Sequence, residues 1–351
     1  MPSLTPPSDS VAVPPAYGYV EAMAYEADAL RIEGWILDLA GPFDTLTARN
    51  LTDGRPVQIE PRERPDLAHA ATFVPDSHRG GFALQAPVAM PWPGTIDIEV
   101  VGTRGGRPAG AMRIDVHCAV QPQTYPPDDV MRRASGSAAQ HYWRATGIKA
   151  ANDFLRILGK HTDLARARTF FEWGCGSGRL TKHLIDRLPH ARVSGADIDV
   201  EAVQWAGANL GGTFTPCKTE PPLPYPDNSF DALCALSVCT HLTERHQDAW
   251  LPELRRVLRP GGLCALTTHG EFAARWIFHR PGEYERVMAS GFFDGLADHN
   301  LTHVASGDYY RSTFQTREWT TRRWGQWFEV VDFVQAGINN FQDVFVLRRQ
   351  A

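Results

Sequence analysis

Apolar and polar positions alternate in short runs over the first third of the chain. "LRIEGWILDL" (30–39), "IDIEVVGT" (96–103) and "MRIDVHC" (112–118) each place apolar residues at every second position. Successive side chains on a strand point to opposite faces, so this period marks strands with one buried face. The turn signals between them are "TDGRP" (52–56), "HRGG" (78–81) and "TRGGRP" (103–108), and no segment carries a helical repeat. The pattern predicts a small all-β sandwich over 17–120. Residues 1–16 are rich in Pro and Ser and predict a disordered N-terminus. "QPQTYPPDDVMRRASGS" (121–137) has the prolines and polar residues of a linker.

The rhythm then changes. "AAQHYWRATGIKAANDFLRILGK" (138–160) has helical spacing, and from Thr169 short apolar runs alternate with helical stretches. Strands are predicted at 169–173, 192–196, 213–215, 231–237 and 263–268, with helices starting near 177, 200 and 244. Such alternation builds βαβ units. "EVVDFVQAG" (329–337) and "FQDVFVLRR" (341–349), joined by "INN", read as an antiparallel pair. Residues 138–351 are therefore expected to be α/β: a doubly wound, mostly parallel seven-stranded sheet with an antiparallel edge hairpin. The segment 271–327 is an insertion before that hairpin, placed to form a lid over a substrate.

Composition narrows the classes. The 351 residues are 43% hydrophobic and 21% charged, with a net charge of −5. That suits a soluble globular protein and gives no electrostatic reason to expect nucleic acid or an anionic membrane as partner. No run approaches the ~18 apolar residues of a membrane span, and the N-terminus lacks the basic and apolar regions of a secretory signal. A cytoplasmic location is the expectation. The six cysteines, Cys118, Cys175, Cys217, Cys234, Cys239 and Cys264, form no pair with metal spacing and read as buried free thiols. No acidic cluster has metal-ligand spacing either, so no metal is expected.

"FFEWGCGSGRL" (170–180) packs Gly174, Gly176 and Gly178 into one turn after the first strand of the α/β region. A ligand approaches the sheet there. A nicotinamide dehydrogenase shows such a turn too, so the acids around it decide. Glu172, two residues before Gly174, would repel a pyrophosphate and attract an ammonium or sulfonium group. Asp197, closing the second strand in "VSGADID", stands where a carboxylate can accept both hydroxyls of a ribose, and Ile198 offers a face for adenine. The ligand suggested is an adenosine with a cationic amino-acid tail.

"EWGCGSGRL" resembles the first motif of the class I S-adenosylmethionine-dependent methyltransferases, and "GADID" their second. "PPLPYPDNSFDALCALSVCTHL" (221–242) and "ELRRVLRPGGLCALTTHG" (253–270) are similar to the motifs that follow. The resemblance covers about 138–349 and is nearest to bacterial methyltransferases of sugars and glycans, through "SVCTHL" and "QDVFVL". It implies S-adenosyl-L-methionine as cofactor. By the same resemblance Gly174, Cys175, Gly176 and Gly178 lie under the methionine part, Glu172 holds its amino group and Asp197 binds the ribose. Ile198 packs on adenine and Ser237 faces the methionine segment. The position that usually supplies an acid to adenine aligns with Thr219 or Lys218, a departure from the family pattern.

Methyl transfer to a hydroxyl also needs the proton removed, and histidine is the commonest base near neutral pH. His241 and His269 both end predicted strands. His241 is the favoured base; the competing reading makes it a cap for the helix that follows, and His269 could simply terminate its strand. In the insertion, Tyr309 is a further catalytic candidate, and Asp308, Tyr310 and Arg311 could bind a sugar-like acceptor. Tyr142 either covers the cofactor or packs its helix, and Arg179 is expected to anchor a nearby acid. The leading function is methylation of a sugar or glycan hydroxyl. The alternatives are a nitrogen or small natural product as acceptor, or a non-catalytic scaffold. The all-β region would then bind glycan or a partner.

Overall fold

The computed structural model describes residues 13–26, 29–87, 95–117, 124–299, 301, 304–305 and 307–350. The chain divides between Val116 and His117 into two compact units. The first holds strands β1 (Tyr17–Glu26), β2 (Ala29–Leu37), β3 (Thr45–Asn50) and β4 (Pro56–Arg62). Helix α1 (Pro65–Ala70) is followed by β5 (Gly81–Pro87), β6 (Thr95–Arg104) and β7 (Arg107–His117). The alternation places Ile98 and Val100 of β6 and Met112 and Ile114 of β7 in one core with Ile32, Phe82 and Leu84.

These strands make one continuous seven-stranded sheet in the order β1-β2-β5-β4-β3-β6-β7, where two stacked sheets were expected. Its ends meet. The Ala16 N–H donates to the Ala111 carbonyl at 2.8 Å, and the Ala111 N–H to the Pro14 carbonyl at 2.8 Å. Residues 14–16, expected to be disordered, thus close the sheet, and Ala16 is fully buried; residues 1–12 lie outside the described residues. A single buried face per strand looks the same in a sandwich and in a sheet rolled on itself, so the alternation could not separate them. The segment "RPDLAHA" also folds into α1, a turn of helix the sequence pattern did not predict.

The second unit begins with α2 (Asp128–Ser135), inside the stretch expected to be a linker, and α3 (Gln140–Leu158). It continues with β8 (Thr169–Trp173), α4 (Thr181–Arg187), β9 (Arg192–Asp197), α5 (Val200–Asn209), β10 (Thr213–Pro216) and β11 (Phe230–Ala235). After α6 (Glu244–Val257) and β12 (Leu258–Thr268) comes the insertion, with α7 (Glu271–Ile277), α8 (Glu283–Val287), β13 (Phe292–Ala297), β14 (Arg311–Gln315) and α9 (Arg317–Trp324). The hairpin β15 (Glu329–Ile338) and β16 (Gln342–Arg348) closes the unit. The sheet order is β10-β9-β8-β11-β12-β16-β15. The first five strands run parallel, and β16 is antiparallel to both its neighbours.

Both faces of this sheet are covered, which is why its strands read as continuous apolar runs. Phe170, Ala232, Cys234, Val344 and Val346 pack towards α3 and α4, through Phe154, Leu158 and Leu184. Their neighbours Phe171, Leu233, Ala235, Phe345 and Leu347 point the other way, against Trp250 and Leu254 of α6 and Trp324 of α9. Truncating a buried aromatic of this kind costs roughly 3–5 kcal/mol. Cys175, Cys217, Cys234, Cys239 and Cys264 are free thiols; Cys118 lies outside the described residues. Among the described residues no helix is long and apolar enough to cross a membrane.

Candidate active site

The strand order reverses at β8, whose successors β9 and β11 lie on opposite sides of it. In such sheets a crevice opens at the carboxyl ends of the strands where the order turns. A cavity of about 340 Å³ lies there, lined by Glu172, Asp197, Cys217 and Ser237 at or just beyond the ends of β8 to β11. Gly174, Gly176 and Gly178 all have positive φ, at 75°, 50° and 77°. At Gly174 a Cβ would stand 2.2 Å from Cγ2 of Val238, which lines the same cavity. Gly174→Ala is therefore expected to cost about 2–4 kcal/mol, from the left-handed backbone and the clash together. Urea melts of the two proteins check this, and coincident midpoints would refute it.

Glu172 is 2% exposed, and one of its oxygens accepts from Thr181 Oγ1. Burial pushes its carboxyl up to about 8; the Thr181 hydroxyl and the Arg179 charge pull the other way without cancelling it. Asp197 is also raised by burial, against backbone donors that favour its ionised form. Its Oδ2 accepts from the Gly176 N–H at 2.7 Å and its Oδ1 from the Asp199 N–H at 2.8 Å. The acid thus fixes both the glycine turn and the start of α5. Asp199 in turn caps α5, accepting from the Ala202 N–H at 3.1 Å.

The cavity gathers most of the sequence candidates. Glu172, Gly174, Cys175, Gly176, Asp197, Ile198, Ser237, His241 and Tyr309 line it, and so does Tyr142. Four candidates stand elsewhere. Gly178 lies under Leu210 and Phe214, supporting the turn from behind. Lys218 is exposed, the Thr219 carbonyl accepts from Trp250 Nε1 at 3.1 Å, and it is Cys217 of this segment that lines the cavity. His269 is partly buried beside His241, stacked on Phe314 with ring centroids 5.5 Å apart. Desolvation, with the neighbouring His241, pushes it down to about 3, so it stays a neutral ring.

On the other side, His241 lies flat on Tyr310, with centroids 4.3 Å apart and planes 12° from parallel. Its Nδ1 is 3.3 Å from Asp298 Oδ2, without the alignment of a hydrogen bond. His241 does not cap the following helix; Thr243 does, its side chain accepting from the His246 N–H. Pairing with the insertion sets this corner. The Arg311 N–H donates to the His241 carbonyl at 2.9 Å and the Thr313 N–H to the Thr240 carbonyl at 2.8 Å. Tyr309 and Tyr310 reach the cavity by this route, while Asp308 is exposed and Arg311 is spent on the carbonyls of Asp294 and Gly295. Burial holds both phenols well above the ordinary tyrosine range.

Several lining residues escaped the sequence reading. Arg133 to Gly136, at the end of α2, form one wall, where Arg133 pairs with Asp129, Asp199 and Glu201 at 2.8, 2.9 and 2.8 Å. Asn339 and Gln342 come from the β15–β16 turn, and Gln342 Nε2 donates to Ser237 Oγ. Ser237 holds φ at 58°, sparse territory for a residue with a Cβ, and its N–H donates to Thr267 Oγ1 at 2.7 Å. Arg179 lies in the turn before α4 and lines the cavity, with Nη1 donating to Thr146 Oγ1 at 2.8 Å. Among the described residues it forms no ion pair, contrary to expectation.

Residues 170–262 match the family model for a methyltransferase domain. The second unit carries a class I, S-adenosylmethionine-dependent methyltransferase domain. The chain is 31% identical over 154 residues to the ubiquinone/menaquinone biosynthesis C-methyltransferase UbiE of Burkholderia mallei, an alignment covering 42% of this chain. The chain spans 56% of that relative's length. Similar solved structures include the Burkholderia thailandensis 1,6-didemethyltoxoflavin-N1-methyltransferase with S-adenosylhomocysteine, at 16% identity and a TM-score of 0.41. That match covers 68% of this chain and 96% of the other. Another is human N-acetylserotonin methyltransferase with S-adenosylmethionine, at 16% identity and a TM-score of 0.40, covering 63% of this chain and 56% of the other.

The residues of the methyltransferase domain fit its cofactor. A neutral, buried Glu172 can ionise against an ammonium group, and the turn at Gly174 leaves space that a side chain would fill. Asp197 keeps free lone pairs for a ribose beside its two backbone bonds.

Proposed function

We propose that the protein transfers a methyl group from S-adenosylmethionine to a hydroxyl of a small, polar acceptor of the sugar or glycan type, with His241 as general base. The stack of His241 on Tyr310 carries this reading: it holds the ring flat at the cavity wall, with the Asp298 carboxylate 3.3 Å from Nδ1. The bound cofactor supplies an electron-poor methyl group on a sulfonium that leaves as a neutral sulfide. What remains for the protein is alignment and removal of the hydroxyl proton. Glu172 and the glycine turn hold the amino-acid end, Asp197 the ribose, and Ile198 and Cys217 flank the adenine. His241 accepts the proton. Ser237 faces the methionine segment, and Gln342 and Tyr310 give the acceptor side a polar lining suited to several hydroxyls.

A second reading is methylation at a ring carbon of a hydroxylated aromatic. The name of the UbiE relative favours it, as does the flat wall formed by His241 on Tyr310. The same base would serve, because the ring hydroxyl must ionise first. Incubation with radiolabelled S-adenosylmethionine and a panel of activated sugars, glycan fragments and hydroquinones tests both, with NMR of the product locating the methyl. Methoxyl on a sugar supports the first reading and C-methyl on a ring the second. Labelling no greater than with a His241→Ala variant, for every acceptor, would overturn them.

A further inference from the structure

We propose that Gln247 is a positioning residue for His241, its side-chain amide clamping the backbone on both sides of that ring. The inference rests on the base reading above and names the residue that sets the base in place. Gln247 stands in the first turn of α6, just after the loop that carries His241, and is 1% exposed. Its Nε2 donates to the carbonyls of Cys239 at 3.0 Å and Leu242 at 3.3 Å, and to Gln315 Oε1 at 2.9 Å. Its Oε1 accepts from Trp324 Nε1 at 3.1 Å.

An amide can often be turned over to exchange its oxygen and nitrogen, but here the direction is forced. The indole of Trp324 can only donate, so Gln247 must present its oxygen there and its N–H groups to the loop. The same direction passes along the chain of bonds. Gln315 accepts from Gln247 and donates from Nε2 to Thr320 Oγ1 at 2.8 Å. Thr320 in turn donates to the Thr316 carbonyl at 2.8 Å. Gln315, Thr320 and Trp324 are fully buried. A polar chain satisfied throughout, in an interior of low dielectric, is rigid and specifies one arrangement.

What this chain holds is the loop. The Ser237 and Val238 carbonyls accept from within it, from Thr240 Oγ1 at 2.8 Å and the His241 N–H at 2.9 Å. The Thr240 and His241 carbonyls accept from the Thr313 and Arg311 N–H groups of β14. The Leu242 carbonyl has the Thr313 hydroxyl as well, at 3.0 Å. The Cys239 carbonyl has Gln247 alone among the described residues. Through Gln315 the same amide is tied to β14, the strand that follows Tyr310. Both rings of the stack between His241 and Tyr310 therefore hang on segments that meet at Gln247. A base must come within about 3 Å of the proton it takes, and a misplacement of about 1 Å can cost on the order of 100-fold in rate.

Two variants separate this role from a merely structural one. Gln247→Met keeps the volume and removes the amide. Gln315→Met cuts the chain further on, leaving the loop its contacts to Gln247 and β14 its backbone bonds. The ring signal of His241, read by NMR on the full chain with isotope-labelled histidine, is assigned by its absence from His241→Ala. It should lie upfield in wild type, shielded by the face of Tyr310, move towards the free-imidazole position in Gln247→Met and stay in place in Gln315→Met. Turnover should fall about 10- to 100-fold in Gln247→Met and stay within about threefold in Gln315→Met, with cofactor affinity held within about threefold in both. Gln247→Asn, the same amide one methylene short, should displace the signal too and decides the matter if the methionine variant does not fold. A His241 signal unmoved by loss of the Gln247 amide would overturn the inference. So would equal losses of turnover in Gln247→Met and Gln315→Met, the mark of a network that only stabilises. A displaced ring with full turnover would overturn the reading of His241 as the base, and the inference would fall with it.

Discussion

Glu172→Gln should make the ligand-free fold more stable above pH 8 and weaken binding of S-adenosylmethionine by on the order of a hundredfold. The two effects have one source. Burial raises the Glu172 carboxyl to about 8, so the folded chain keeps a proton that the unfolded chain has released from about pH 4.5 upwards. The folded state therefore loses stability as pH rises from about 4.5 to about 8, by a few kcal/mol in total. Glutamine stays neutral and still accepts from the Thr181 hydroxyl, so the variant escapes this loss. It cannot supply the negative charge that an ammonium group needs. In wild type, ionising Glu172 against the ligand should release a proton. Affinity should rise with pH up to about 8, and the heat of binding should depend on the buffer. Thermal melts from pH 5 to 9, with titration calorimetry in two buffers, check both halves. Parallel melting curves for variant and wild type would remove the buried-acid argument, and unchanged affinity would remove Glu172 from the site.

His241→Ala is expected to lower turnover by about 10²–10⁴-fold, the usual worth of a general base, with cofactor affinity changed by no more than about threefold. The separation follows from position. His241 lies on Tyr310 beside Asp298, whereas the proposed cofactor contacts are made by Glu172, the glycine turn and Asp197. Asp298→Asn should take an intermediate loss, because the ring keeps its stack on Tyr310 and loses the charge beside Nδ1. Steady-state kinetics with the acceptor found by labelling, together with calorimetry of cofactor binding, separate the roles. A variant with a raised KM and an unchanged kcat would make His241 an acceptor-binding residue. Full activity in His241→Ala would leave the reaction without this base.

Much of the cofactor end was legible because it is local. Glu172, the three glycines and Asp197 sit at the ends of β8 and β9, and strand period and turn composition reveal those ends directly. The wall formed by α2 was missed because Pro126, Pro127 and the charged residues after them resemble a linker. The helix signals were present: prolines before the first turn, Asp129 four residues before Arg133, and Gly136 in the left-handed region just after the end. Nothing local distinguishes His241 from His269, since each follows a strand. Their fates differ because β14 pairs its backbone beside both, leaving one ring at the cavity wall and covering the other with Phe314.

The sequence by itself determined the α/β order of the second unit, the glycine turn that borders the cavity and the acid two residues before it. All three depend on neighbours within a few residues, through backbone freedom and side-chain period. The tertiary structure alone decided that the first unit closes on itself through Ala16 and Ala111, that Tyr310 meets His241, and that Gln342 reaches Ser237. Those contacts join segments far apart in the chain. Alternation is unchanged when a distant strand chooses another partner, so only the folded pairing could settle them.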